Sequence, residues 1–103
     1  MIERAVSHRP SSGFFVDSLG WVYYKLGDPA RAVGYLERAT ELEPSDPEIT
    51  GHLGDVYWAL GRREEAMFKW RLALTLSDDA EEQTLLERRL RTGLTPEEMP
   101  GSN

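Results

Sequence analysis

The chain has 103 residues, 40% of them apolar and ten aromatic, so it can bury a core as one small domain. It has no cysteine, which excludes disulfide frameworks, thiol nucleophiles and thiolate metal sites, and no apolar run approaches the roughly 20 residues that cross a bilayer. Its formal net charge of −6 repels phosphate backbones and anionic lipid heads, so neither nucleic acid nor a membrane surface is an expected partner.

An internal repeat orders the rest. Sliding the sequence by 34 residues aligns residues 13–46 with 47–80 and gives nine identities: Leu19/Leu53, Gly20/Gly54, Val22/Val56, Tyr23/Tyr57, Leu26/Leu60, Gly27/Gly61, Ala32/Ala66, Ala39/Ala73 and Leu42/Leu76. Chance supplies about two. Ala5 and Pro10 precede Ala39 and Pro44 by the same interval, so residues 1–10 read as the second half of a preceding unit. Met1-Ile2-Glu3-Arg4 lacks the pattern of a secretory leader. A cytoplasmic location is expected if the chain is complete, an envelope or periplasmic one if it is part of an exported parent.

Each unit predicts two helices. Leu19, Val22, Tyr23 and Leu26 recur at helical spacing on one face, and Gly27 supplies the left-handed stop. Asp28-Pro29 then starts a second helix, because the carboxylate accepts free amide hydrogens and proline needs none at the first position. Its inner face is Ala32, Leu36, Ala39 and Leu42, and Pro44 ends it. Asp46-Pro47 opens the next unit, where Leu53, Val56, Tyr57 and Leu60 precede Gly61, and Ala66, Trp70, Ala73 and Leu76 follow. Gly20 and Gly54 in mid-helix predict close approach of the partner helix, opposite Ala32 and Ala66, with Tyr23 and Tyr57 filling the wedge.

Residues 78–92 predict a last helix, with Asp78 and Glu81 as capping pair, Leu85, Leu86 and Leu90 inward, and Arg88, Arg89 and Arg91 complementing the dipole at its end. It breaks the repeat, since Arg88 stands where Gly54 recurs, and reads as a solvating cap on a stack. Gly93 ends it, and 93–103 is expected as a flexible tail.

The string Leu-Gly-x-x-Tyr-x-x-Leu-Gly, with Ala, Ala and Pro at fixed offsets over 34 residues, resembles the tetratricopeptide repeat over residues 13–80. The departures are Val16 and Thr50 at the family's frequent tryptophan and Asp78 at its closing proline. Asp17-Ser18-Leu19-Gly20-Trp21 and His52-Leu53-Gly54 are also similar to the last repeats of longer bacterial members, some of them envelope-associated. The resemblance implies an all-α solenoid of antiparallel helix pairs, a right-handed superhelix whose first helices line a concave groove for peptides or partner helices, with no chemistry of its own. Carried over position by position, that groove is Phe14, Asp17, Trp21, Tyr24 and Lys25, then Glu48, Gly51, Asp55, Trp58 and Ala59. Asp17, Trp21 and Asp55 stand where a clamp for a terminal carboxylate needs lysine and asparagine, which argues against that ligand.

Trp21, Tyr24 and Trp58 are then an aromatic floor for an apolar or basic segment, or they pack beneath a missing repeat, a second copy or the C-terminal tail. The competing expectations for the whole chain are self-association through its N-terminal edge, where Ile2, Ala5 and Val6 would expose an apolar stripe, giving a homo-oligomer, or a place at the end of a longer solenoid. His8 and His52 lack partners at metal-ligand spacing. No Gly-x-Ser-x-Gly turn or glycine-rich phosphate loop exists, so no catalytic residue, metal or cofactor is expected.

Overall fold

The computed structural model describes residues 12–99. The half-repeat expected over residues 1–10 lies outside them. Five α-helices follow one another, α1 (Gly13–Lys25), α2 (Pro29–Leu42), α3 (Pro47–Ala59), α4 (Arg63–Leu76) and α5 (Ala80–Thr92), before a 3-10 turn at Pro96–Glu98. They form two layers. The first helices α1, α3 and α5 stand side by side as the inner layer, with α2 and α4 packed behind them, an all-α helical-repeat solenoid.

Local chemistry sets the boundaries. Ser12, Asp28 and Asp46 cap α1, α2 and α3, accepting hydrogen bonds from the amides of Phe14, Arg31 and Ile49. Gly27 and Gly61 take φ of 84° and 81° at the ends of α1 and α3, a conformation that costs other residues a Cβ clash. Arg62 stands where the first repeat has Asp28 and gives α4 no side-chain cap. Glu64 and Glu65 in the first turn place negative charge at the positive end of the helix dipole, and the Arg62 guanidinium grips the Glu65 carboxylate through two 2.8 Å bonds. At α5 the cap is Asp79, not the expected Asp78, and its carboxylate accepts from the Glu81 amide. Ser77 decides the register there: its hydroxyl donates to Glu82 at 2.7 Å and accepts from the Asp79 amide at 3.1 Å.

Ala32, Leu36 and Ala39 of α2 and Ala66, Trp70 and Ala73 of α4 are wholly buried, forming the seam between layers. The two mid-helix glycines do mark close approach, though not against the expected alanine side chains. A Cβ on Gly20 would lie 2.9 Å from Tyr35 Cβ and 3.0 Å from Leu36 Cγ, and one on Gly54 would lie 2.6 Å from the Trp70 indole and 3.2 Å from the Ala66 carbonyl oxygen. The two tyrosines face the layer behind: Tyr23 stacks on Tyr35, and Tyr57 donates to Glu37 at 2.7 Å beneath the Arg62 guanidinium.

The two units differ on one face. Leu53 and Val56 are buried beside α2, yet Val22 and Leu26, at the matching positions of α1, are 56% and 74% exposed. Periodicity alone predicted both sets as core. The difference is coverage, because α2 lies against α3 and no described helix precedes α1. The residues α1 does bury are Gly13, Val16, Asp17, Gly20 and Tyr24.

The segment after Gly93, expected as a flexible tail, is packed on the body as far as Met99. Leu94 is buried in the main core cluster, and Met99 packs against it. The energetic reason is apolar: two large side chains leave water there, whereas the Pro and Gly residues signal only an end of helix.

Candidate peptide-binding face

The inner sides of α1, α3 and α5 are joined by a row of side-chain contacts. At the N-terminal end, His52 of α3 stacks on Trp21 of α1 with ring centroids 3.8 Å apart, and Trp21 in turn stacks on Tyr24 at 4.7 Å. Asp17 orients the imidazole, accepting from His52 Nδ1 at 2.9 Å, which assigns the Nδ1 proton and leaves Nε2 turned toward Glu48 at 4.0 Å. Lys25 lies over the other part of the Trp21 ring at 5.7 Å. Trp21 and His52 are half-buried, so one edge of this stack meets solvent.

Next along the face, α3 meets α5. Asp55 is only 2% exposed, and one carboxylate oxygen accepts from Trp70 Nε1 at 3.0 Å and from Arg89 Nη1 at 3.0 Å. Burial pushes its pKa up to about 6, against the opposing pull of Arg89 and the Trp70 hydrogen bond. Beside it the Tyr24 hydroxyl is buried without a hydrogen-bond partner, and burial raises its pKa, with the Asp55 charge adding to the effect. Arg89 was expected to serve the dipole at the end of its helix; instead it spans to α3 and pairs with a carboxylate that would otherwise be a buried, uncompensated charge. Asp55 and Arg89 stand one repeat length apart, at equivalent positions of successive first helices.

Between the N-terminal ends of α3 and α5 runs an open groove of about 320 Å³. Its floor is Pro47, Gly51, Leu85 and Leu86, and its walls carry Glu48, Asp79, Glu81 and Glu82, with His52 and Arg89 at the base. Gly51 is buried in this lining, with Leu86 Cδ2 3.6 Å from where its Cβ would stand, an ordinary packing distance.

The residues expected to line the groove therefore divide. Trp21, Lys25 and Glu48 reach solvent around the Trp21–His52 stack, Gly51 lies in the groove floor, and Phe14 is exposed at the start of α1. Asp17 is turned to His52, while Asp55 and Tyr24 are enclosed, so Asp55 cannot meet a ligand as expected of it. Trp58 and Ala59 sit at the other end, where Trp58 leans on Trp70 at 5.4 Å and lies beneath Gly93, with the Arg63 guanidinium over its ring at 4.8 Å. His52, Glu82, Leu85 and Arg89 were not among the expected groove residues. Moving Asp55 and Gly51 on by one repeat length reaches Arg89 and Leu85, and that register was the signal available for them.

Among known protein families, the one described as Tetratricopeptide repeat matches residues 18–81. No curated protein and no solved structure matches the chain.

Proposed function

The chain belongs to the tetratricopeptide-repeat family, whose repeats generally mediate protein–protein interaction without catalysis, and we propose that its inner face receives a partner segment bearing basic residues beside apolar ones. The observation that carries this reading is the groove between α3 and α5: an apolar floor of Leu85 and Leu86 walled by the carboxylates of Glu48, Asp79, Glu81 and Glu82. A lysine or arginine entering there exchanges water for several carboxylates, while an apolar neighbour covers Leu85, which alone is 37% exposed. An acidic segment meets repulsion from four carboxylates, against the single guanidinium of Arg89, which is already paired with Asp55. The Trp21–His52 stack continues the surface toward α1 and offers a flat aromatic edge to the same segment. Among the described residues no helix is long and apolar enough to cross a membrane.

The test is affinity selection from a displayed peptide library on the wild-type chain and on the double reversal Glu48→Lys/Glu82→Lys. Enriched peptides should carry Lys or Arg within a turn of Leu, Ile or Phe, and the reversal should abolish that preference. Enrichment that survives the reversal, or favours Asp and Glu, contradicts the proposal.

A second reading has its own observation. Phe15, Val22 and Leu26 of α1 are 46%, 56% and 74% exposed, an apolar stripe whose counterparts Ile49 and Val56 are buried. That stripe supports self-association through α1; the edge expected to do so, Ile2, Ala5 and Val6, lies outside the described residues.

A further inference from the structure

The far end of the inner face is already occupied. Gly93 ends α5 at φ 69°, and the space its Cβ would need is filled by the Trp58 ring, so the backbone passes directly over the indole. The chain then turns. Leu94 is 6% exposed within the cluster that includes Tyr24 and Trp70, and Met99 packs on the same cluster. Between these anchors, Thr95 and Glu98 form a capping box around the Pro96–Glu98 turn: the Thr95 amide donates to Glu98 Oε1 at 2.9 Å, while Arg88 donates to Glu98 Oε2 at 2.8 Å. Beside it an open cavity of about 700 Å³ remains, lined by Trp58, Ala59, Arg63, Leu94, Pro96 and Met99.

We infer that Leu94–Met99 is a displaceable strap, an intramolecular ligand of this end of the face, and that the site beneath it takes in trans a partner segment of the same design: an apolar anchor, a proline turn, a carboxylate for Arg88 and a second apolar anchor. The inference rests on reading the inner face as a docking surface, but assigns this end a ligand chemistry opposite to that of the acidic groove. The holding contacts are few. One ion pair joins groups that both reach solvent, with side chains 52% and 24% exposed, and such pairs are weak. Two apolar anchors on the short return Leu94–Met99 then make the strap the first segment expected to open locally. Its hold comes from tethering, since a short linker presents the strap at an effective concentration on the order of millimolar. A free segment competes only when the strap is weakened or the competitor binds better.

A fluorescein-labelled peptide of residues 93–103, titrated by anisotropy into full-length chains, tests this. Glu98→Lys removes both the Arg88 ion pair and the Thr95 capping box, sets a cation beside Arg88 and leaves the site intact, so the peptide should bind it about three- to ten-fold more tightly than it binds wild type, the tethered strap occupying the site less of the time. Arg88→Glu weakens strap and site together and should gain no peptide affinity. Equal binding to wild type and Glu98→Lys, or an equal gain in Arg88→Glu, overturns the inference. Circular dichroism checks helicity, and if Glu98→Lys unfolds, Glu98→Gln should give a smaller gain of the same sign; its absence is also fatal. A chain that binds basic peptides at the Trp21 end but never the strap peptide overturns the strap alone. One that binds neither removes the docking reading with it.

Discussion

Asp55 is a buried carboxylate whose protonation is coupled to folding. Its carboxylate is enclosed by Trp70 from α4 and Arg89 from α5, with His52 of its own helix and Glu98 of the C-terminal turn contributing to its field. Folding raises its pKa from 3.8 to about 6, so folding favours the protonated form: that contribution is full below pH 3.8 and is lost as the pH rises through about 6. Glu98 acts in the opposite sense. The Thr95 amide holds its carboxyl below the usual range, and this contribution is lost as the pH falls through that lowered value. Stability should therefore peak in mildly acidic solution, and the melting temperature at pH 5 should exceed that at pH 7.5. Asp55→Asn should erase the difference. A wild-type melting temperature that rises steadily to pH 7.5, unchanged in slope by Asp55→Asn, would contradict the assignment.

The glycines give a second contrast at this scale. A methyl at Gly54 meets the Trp70 indole, which cannot move without breaking its bond to Asp55, so Gly54→Ala should cost about 1–3 kcal/mol. Gly34 has no atom within 4 Å of its Cβ position in mid-α2, and Gly34→Ala should stabilise by about 1 kcal/mol through helix propensity. Chemical denaturation of the two variants measures both. The glycine at 54 was legible from its recurrence, but the Asp55–Arg89 pair was not: in one sequence, an arginine near a helix end looks like dipole complementation, and only the stacking of first helices reveals a buried acid awaiting it.

At the scale of the elements, starts and stops of helices were the most legible feature, because caps are local chemistry. Asp28-Pro29, Asp46-Pro47, Gly27, Gly61 and Gly93 all act where the sequence implies. What local chemistry could not carry was which helix face is covered. Leu19, Val22 and Leu26 obey the same spacing as Leu53, Val56 and Leu60, yet coverage depends on a neighbour outside the periodic segment. The consequence belongs to α1. If the exposed stripe of Phe15, Val22 and Leu26 joins two chains, light scattering should give a mass that climbs with concentration, and Val22→Lys/Leu26→Lys should return it to the monomer. A concentration-independent monomer mass for the wild type would rule out that edge as a self-association surface.

Across the whole molecule, the inner layer presents two ends of opposite chemistry. The acidic groove between the starts of α3 and α5 stands open, whereas Leu94–Met99 lies over the Trp58 end. The second half of this arrangement was hidden in the sequence, since Pro96, Pro100 and Gly101 suggest a loose end and the anchors Leu94 and Met99 have no periodicity to betray them. The repeat architecture itself was legible because small and aromatic residues recur together, and a recurring packing unit leaves that trace wherever it stacks. The central claim, that the acidic groove and its adjoining aromatic stack receive a basic, partly apolar segment, is tested most directly by titrating a peptide from the library selection into ¹⁵N-labelled chain and following amide and indole resonances. Shifts concentrated at Trp21, Glu48, His52, Glu82 and Leu85 are the predicted result. Shifts centred instead on Phe15, Val22 and Leu26, with the groove resonances unmoved, would contradict it.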